Sequence, residues 1–355
     1  MEQPARPSLV SGIDAALTDF LARRRLDLAG LGPRIHPLLD AAGRAADGGK
    51  RLRALFCHAG WVAAGGDPDD AALLRASTAF EWLQASALVH DDLMDGSDTR
   101  RGRPSAHRAF EADHRGAAWA GDAERFGAGG AILLGDLLLS WADEAFRGAG
   151  LPLEATARAT PYLDSCRSEV VCGQFLDLAQ QARGTHDVDE AMRVVHYKAA
   201  TYTVERPLQV GAALAGGSDE LLGALSDFGL PLGEAFQLRD DLLGVFGDPA
   251  VTGKPAGDDL REGKHTVLVA RAHAAADADQ RGVVDRLLGD PDLDADGVTR
   301  LRDVIEATGA RQAVEDDITR LESAADAALA LVPVASPAGR DLLADLAARA
   351  TRRVA

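Results

Sequence analysis

Apolar residues recur along this chain at the three-to-four-residue spacing of helices, and no run alternates apolar and polar positions as a strand would. The spacing predicts helices over residues 13–28, 48–64, 69–94, 131–146, 153–181, 188–215, 218–245 and 263–276, with several more in the C-terminal third. Two of these, 69–94 and 131–146, carry too few polar positions for a surface helix and are expected to be buried, with Asp136 an isolated acid inside the second. Glycine and proline break the pattern at Gly30, Gly32 and Pro33 and again at Gly65-Gly66-Asp67-Pro68. Residues 96–130 hold many Gly, Arg, Asp and His and read as a long connection, of a length that in compact proteins is usually functional. A second loop rich in Gly, Pro and Asp is expected over 247–263. Residues 1–12 read as a loose arm, and 13–355 as a single all-α domain without internal repeats.

Composition narrows the chemistry. Of 355 residues 46% are apolar, ample for a core, and only 5% are aromatic. Acidic residues outnumber basic ones 55 to 38, a net charge of −17, which argues against nucleic acid and against an anionic membrane surface. Any pocket for a phosphate must therefore invert the overall field locally. No stretch reaches the roughly 18 apolar residues that span a bilayer, and the N-terminus has no signal-peptide pattern, so no stable membrane insertion is expected. Cys57, Cys166 and Cys172 have no metal-ligand spacing and read as reduced core thiols of a cytoplasmic protein.

Two acidic clusters stand out: Asp91-Asp92-Leu93-Met94-Asp95 and Asp240-Asp241. Like charges packed this closely repel, so a cation is needed to hold them. At helical spacing Asp91 and Asp95 share one face. Two such faces turned toward each other form an oxygen-lined slot suited to magnesium, which keeps several waters and shares its other positions between carboxylates and phosphates. Arg100-Arg101-Gly102-Arg103-Pro104 follows the first cluster at once and would hold phosphate charge left over by the metal.

These residues carry a resemblance. Val89-His90-Asp91-Asp92-Leu93-Met94-Asp95 followed by Asp98-Thr99-Arg100-Arg101-Gly102-Arg103-Pro104 resembles the first aspartate-rich motif of the trans-isoprenyl diphosphate synthases, the polyprenyl synthetase family. Phe236-Gln237-Leu238-Arg239-Asp240-Asp241, with Gly253-Lys254-Pro255 through Asp258-Asp259-Leu260 to Lys264, resembles the second. Gly49-Lys50-Arg51-Leu52-Arg53, Gly173-Gln174-Phe175-Leu176-Asp177 and Tyr197-Lys198 supply three further landmarks in order, so the likeness spans roughly 45–270. It implies an all-α isoprenoid-synthase bundle around a central cavity, a homodimer, and magnesium as cofactor, three ions with substrate bound. The implied substrates are isopentenyl diphosphate and an allylic diphosphate. Metal-assisted ionisation of the allylic diphosphate and attack by the isopentenyl double bond would lengthen the chain by five carbons.

The resemblance assigns metal ligation to Asp91, Asp95 and Asp240, with Asp92 and Asp241 as supporting or occasional ligands. Arg100, Lys198, Lys254 and Lys264 would grip the allylic diphosphate, and Lys50, Arg53 and Arg101, with Gln84, the isopentenyl diphosphate. Gln237 would face the diphosphate or the cation, Gln174 and Asp177 the metal waters, and His90 is expected to pack and not to catalyse. Gly244 stands where many relatives have a third acid or amide. Ala199 stands where a threonine is common, with Thr201 or Thr203 as possible replacements for its hydroxyl. In this family the product grows into a tunnel below the first motif. Ser86 and Ala87 leave its first layer open, and the next layer holds Leu83, Ala79 and Trp82, the last the candidate floor. That arrangement implies geranylgeranyl diphosphate, with farnesyl or longer products as alternatives. A class I terpene cyclase and a non-catalytic partner subunit are the rival readings. The first would need a different second metal motif, and the second typically lacks acidic motifs that this chain keeps.

Overall fold

The computed structural model describes residues 8–247, 257–290 and 292–351, and they form a helical bundle. Ten helices precede the second acidic cluster's end: α1 (Leu9–Asp27), α2 (His36–Ala46), α3 (Leu52–Ala63), α4 (Ala71–Met94), α5 (Ala106–Gly116), α6 (Ala123–Arg147), α7 (Leu153–Arg183), α8 (Val188–Val194), α9 (Arg206–Leu214) and α10 (Asp219–Phe246). Five more follow a single turn at Asp258–Arg261: α11 (Val267–Ala275), α12 (Ala278–Leu287), α13 (Ala295–Ala307), α14 (Ala310–Leu331) and α15 (Pro337–Thr351). A π-helical stretch, Val195–Glu205, joins α8 to α9. No helix among the described residues is long and apolar enough to cross a membrane.

The predicted central helix is central. Asp70 caps α4, its carboxylate accepting from the N–H groups of Ala72 and Leu73, two of the donors a helix start leaves unpaired. Phe80, Trp82, Ala79 and Leu73 along α4 are at most 1% exposed, inside the main core. A second core, under α10 to α14, is built on Leu238, Leu242, Val245, Val267 and Ile318. These two cores fix the ends of α4 and α10, where the acids lie.

Four expectations are corrected. Helix α1 begins at Leu9, with Ser8 accepting from Ser11 N–H, so residues 9–12 are helical and not an arm. Residues 96–130 are not a long connection: Thr99–Arg100 pairs antiparallel with Arg103–Pro104, α5 follows, and α6 starts at Ala123. Two of the glycines there, Gly127 and Gly130, are packing positions. A Cβ on Gly127 would lie 2.3 Å from the His107 carbonyl oxygen, and one on Gly130 2.6 Å from the Phe110 ring. Helix α6 is buried on one face only; Ile132, Leu133 and Asp136 point outward. Cys57 and Cys166 are buried free thiols as expected, but Cys172 is exposed.

Candidate active site

A cavity of about 1100 Å³ opens among α3, α4, α7, the π-helical stretch and α10. The first acidic cluster ends α4, and the second lies one turn before the end of α10; neither helix has a basic residue in its last turn. Negative charge at the end of α4 opposes the helix dipole and costs stability unless a cation answers it. Asp91, Asp240 and Asp241 line the same cavity, so segments some 150 residues apart in sequence meet there.

Cations answer the first cluster from three directions. The hairpin turns through Arg101 and Gly102 with φ of 52° and 71°, both left-handed, as a two-residue turn of the kind that follows strand twist requires. This points Arg100 back at the helix end. Its Nε donates to Asp92 Oδ1 at 2.8 Å, a second nitrogen donates to the same oxygen, and Asp91 Oδ2 lies 3.7 Å away. Lys198 donates to Asp177 Oδ2 at 2.5 Å and to Asp91 Oδ1 at 3.2 Å. The π-helical stretch delivers that lysine, and α7 approaches it so closely that a Cβ on Gly173 would lie 2.4 Å from the Lys198 nitrogen. Lys264 lies 2.7 Å from Glu262, 3.3 Å from Asp95 and 3.9 Å from Asp259.

The electrostatics separate the aspartates. Burial alone would lift Asp91, but Lys198, Lys264 and Arg100 overrule it and hold that carboxyl below its ordinary value. Burial and the Asp91 charge push Asp95 up to about 6, with Lys264 offsetting part of the rise. Its side chain is 2% exposed, and among the described residues neither carboxylate oxygen has a hydrogen-bond partner. Burial and neighbouring Asp259 push Asp241 up to about 7, although Gln237 Nε2 donates to Asp241 Oδ1 at 2.8 Å. Both lysines move against their burial: Asp91 and Asp177 raise Lys198, and Asp259, Glu262, Asp91 and Asp95 raise Lys264 well above its usual value. A donor set of carboxylate oxygens alone, with the buried Asp95 carboxylate free of hydrogen bonds among the described residues, fits a hard divalent cation such as magnesium.

The second set of predicted cations gathers at the same cavity. Lys50, Arg53, Gln84 and Arg101 all line it. The Arg53 guanidinium lies 4.0 Å from the Tyr202 ring centroid and donates to Thr203 Oγ1 at 2.8 Å, and the Tyr202 hydroxyl donates to Gln84 Oε1. Arg101 donates to the Asp47 carbonyl oxygen beside Gly48 and Gly49. Arg51, between these cations in sequence, is a different residue in kind. It is 8% exposed and bonds Asp14, Glu81 and the Ala46 carbonyl, bracing the start of α3.

Several predicted positions fall elsewhere. Lys254 lies outside the described residues. Asp92 is buried and holds Arg100 instead of facing the cavity, and Asp95 sits behind Lys264. Trp82 is not a floor: it is 1% exposed, does not line the cavity, and packs between Phe20 and Trp141 at 5.3 and 5.5 Å between ring centroids. Apolar residues are spread around α4 without one clear face, so its sequence does not orient Trp82. Leu83, Ser86 and Ala87 do line the cavity, joined by Leu139 of α6. Ser86 also donates its hydroxyl to the Gly135 carbonyl at 2.8 Å, so it is turned toward α6. His90 pairs with the Ile132 carbonyl at 3.2 Å, the packing role expected of it. Neither threonine replaces the hydroxyl missing at Ala199, since Thr201 donates to Tyr197 O and Thr203 accepts from Arg53.

Sequence reasoning missed Asp259. A Cβ on Gly244 would sit 1.8 Å from Asp259 Oδ2, so the place left by the glycine is filled by a carboxylate from later in the chain, which also lines the cavity. The signal was the pairing of a missing acid at 244 with the extra acid in Asp258-Asp259.

The sequence model of one family, described as polyprenyl synthetase, matches residues 37–305. The chain is 32% identical over 299 residues, 83% of its length, to a geranylfarnesyl diphosphate synthase of Aeropyrum pernix, and covers 87% of that protein. It is 38% identical over 234 residues to a geranylgeranyl diphosphate synthase of Mycobacterium tuberculosis, covering 66% of this chain and 61% of that one. Its fold overlays a geranylgeranyl pyrophosphate synthase from Corynebacterium glutamicum, solved with isoprenyl diphosphate and magnesium, with a TM-score of 0.93 and 40% identity over 98% of this chain and 99% of the other.

Proposed function

The chain belongs to the polyprenyl synthetase family, and on that premise we propose that it condenses isopentenyl diphosphate with an allylic diphosphate to give geranylgeranyl diphosphate. The observation that carries this reading is one cavity lined by both acidic helix ends and by two sets of cations, enough for two diphosphates. A terpene cyclase, with one diphosphate to hold, would have no use for Lys50, Arg53 and Arg101 together. A silent subunit would have no use for Asp91 and Asp240.

In this reading Asp91, Asp95 and Asp240 would hold the magnesium, with Asp241 next to Asp240 on the cavity wall and Asp92 behind, holding Arg100. Bound magnesium would neutralise the allylic diphosphate and make it a better leaving group. Arg100, Lys198 and Lys264, now spent on carboxylates, exchange those partners for phosphate oxygens and stabilise the charge that develops on departure. The carbon–oxygen bond breaks with its electron pair leaving on the diphosphate. Lys50, Arg53 and Arg101 hold the isopentenyl diphosphate so that its double bond attacks the allylic cation and forms the new carbon–carbon bond. A proton then leaves the resulting cation for the departed diphosphate, which the same cations keep in place.

Product length follows from the cavity wall. Ala87 leaves room beside the first motif, and Leu83 with Leu139 stands one layer further down, where Trp82 had been expected. This supports twenty carbons, although the Aeropyrum relative is named for twenty-five. Purified protein with magnesium, isopentenyl diphosphate and an allylic starter should give mainly the twenty-carbon diphosphate by chromatography; dominance of fifteen or twenty-five carbons would overturn the assignment. Ala87→Phe should shorten the product, whereas unchanged length would place the growing chain along another wall. The outward Ile132 and Leu133 of α6, 48% and 63% exposed, support a homodimer, which light scattering in solution tests.

A further inference from the structure

On the far side of the Lys264 loop, three histidines form a stack. The His186 ring, in the turn between α7 and α8, lies 4.5 Å from His265 and 4.2 Å from His273 of α11 between centroids, with interplanar angles of 28° and 24°. Asp285 of α12 closes the group, its Oδ1 3.2 Å from His273 Nε2 and 3.9 Å from His186 Nε2. One ligand atom each from His186, His273 and Asp285 lies within 4.8 Å of the other two.

His186 is the anomaly. Its side chain is 9% exposed, its Nδ1 has no hydrogen-bond partner among the described residues, and the 3.9 Å from its Nε2 to Asp285 is too long for a hydrogen bond. A ring nine-tenths buried whose Nδ1 has no partner among the described residues costs stability unless something outside the chain completes the site. We propose that His186, His273 and Asp285 form a binding site for a divalent transition-metal ion, zinc above all. Two imidazole nitrogens and one carboxylate oxygen are a donor set zinc takes readily, with a fourth position left for water on the exposed Asp285 side. Burial and the two neighbouring imidazoles keep His186 neutral, at about 4, so its lone pair is available at any ordinary pH. Oxygen-seeking magnesium would not compete here, which separates this site from the acidic cavity.

The three ligands come from the turn after α7, from α11 and from α12, so a bound ion would tie these elements together. The same turn borders the segment carrying Lys264 and Thr266, and Gln180 near the end of α7 donates to the His265 carbonyl at 3.3 Å. The ion would therefore brace the loop behind one of the cavity's lysines, as a structural metal and not a catalytic one.

The test is zinc binding by metal-free protein in excess magnesium, which saturates the carboxylate cavity, read by calorimetry and by the thermal unfolding midpoint. One zinc per chain and a rise in the midpoint are expected, and Asp91→Asn/Asp240→Asn protein should behave the same. Asp285→Asn, at an exposed position, should weaken zinc at least tenfold, and His273→Ala at least a hundredfold. If His273→Ala does not fold, Asp285→Asn and the ring-nitrogen resonances of His186 and His273, which should shift on zinc addition, still decide. The proposal is overturned if wild-type protein takes up no zinc beside magnesium, if Asp285→Asn binds it unchanged, or if those resonances stay put.

Discussion

The two acidic helix ends look alike in sequence and are held in opposite ways. At the end of α4 each aspartate has a cation brought from elsewhere: Arg100 on Asp92, Lys198 on Asp91 and Lys264 beside Asp95. At the end of α10 the neighbours of Asp241 are an amide, Gln237, and another acid, Asp259. The chain's own cations answer the first end, while at the second burial and Asp259 push Asp241 up to about 7, Gln237 and Lys264 offsetting only part of the rise.

Removing one carboxylate from each end is the strongest way to break the comparison. Asp91→Asn and Asp240→Asn should each lower kcat on the order of a thousandfold, about 4 kcal/mol of transition-state stabilisation at about 1.4 kcal/mol per tenfold. Steady-state turnover measures it, and a loss under tenfold for Asp240→Asn would mean the second end is not part of the machinery. A smaller effect is expected at Gly244. Alanine there must displace Asp259, and kcat/KM should fall roughly thirtyfold, about 2 kcal/mol, with higher magnesium needed for half-maximal rate. An unchanged magnesium requirement would remove Asp259 from the second end.

The smallest effect sharpens the contrast through pH. Asp95 and Asp241, at about 6 and about 7 in the fold, bind more protons there than in the unfolded chain between roughly pH 4 and 7. Their contribution to metal-free stability is therefore lost as pH rises through that window, the reverse of the usual salt-bridged aspartate. A divalent ion must displace those protons, so its affinity should rise between pH 6 and 8, roughly tenfold through Asp241 alone. Manganese binding, followed by loss of the free ion's spin-resonance signal, checks this. Asp241→Asn should flatten the dependence, and a slope that survives the substitution would assign it to another group.

Most of the fold was legible because its helices are long and periodic, and the gathering of Asp91, Asp240 and most of the cations at one cavity because they sit in motifs with fixed spacing. What escaped was whatever depends on a contact between distant segments. Gly127 and Gly130 read as loop residues because nothing local reveals the helix α5 pressed on them. Trp82 lies on a helix whose apolar residues show no single face, so its packing between Phe20 and Trp141 is not visible locally. Asp259 gains its place from an absent side chain 15 residues earlier, and His186, His273 and Asp285 come together only through folding.

The stretch Val195–Glu205 has one more consequence. Its hydrogen bonds reach one residue further than in an ordinary helix, so the side chains before and after it are out of phase with a single 3.6-residue screw. Ala191, Val194, Val195, Lys198, Ala199 and Tyr202 nevertheless all open onto the cavity. The wide turns are the gear that keeps this wall aligned. Losing a single residue from them would spin α8 by about 100° against α9 and carry a whole strip of the cavity away from its contents at once.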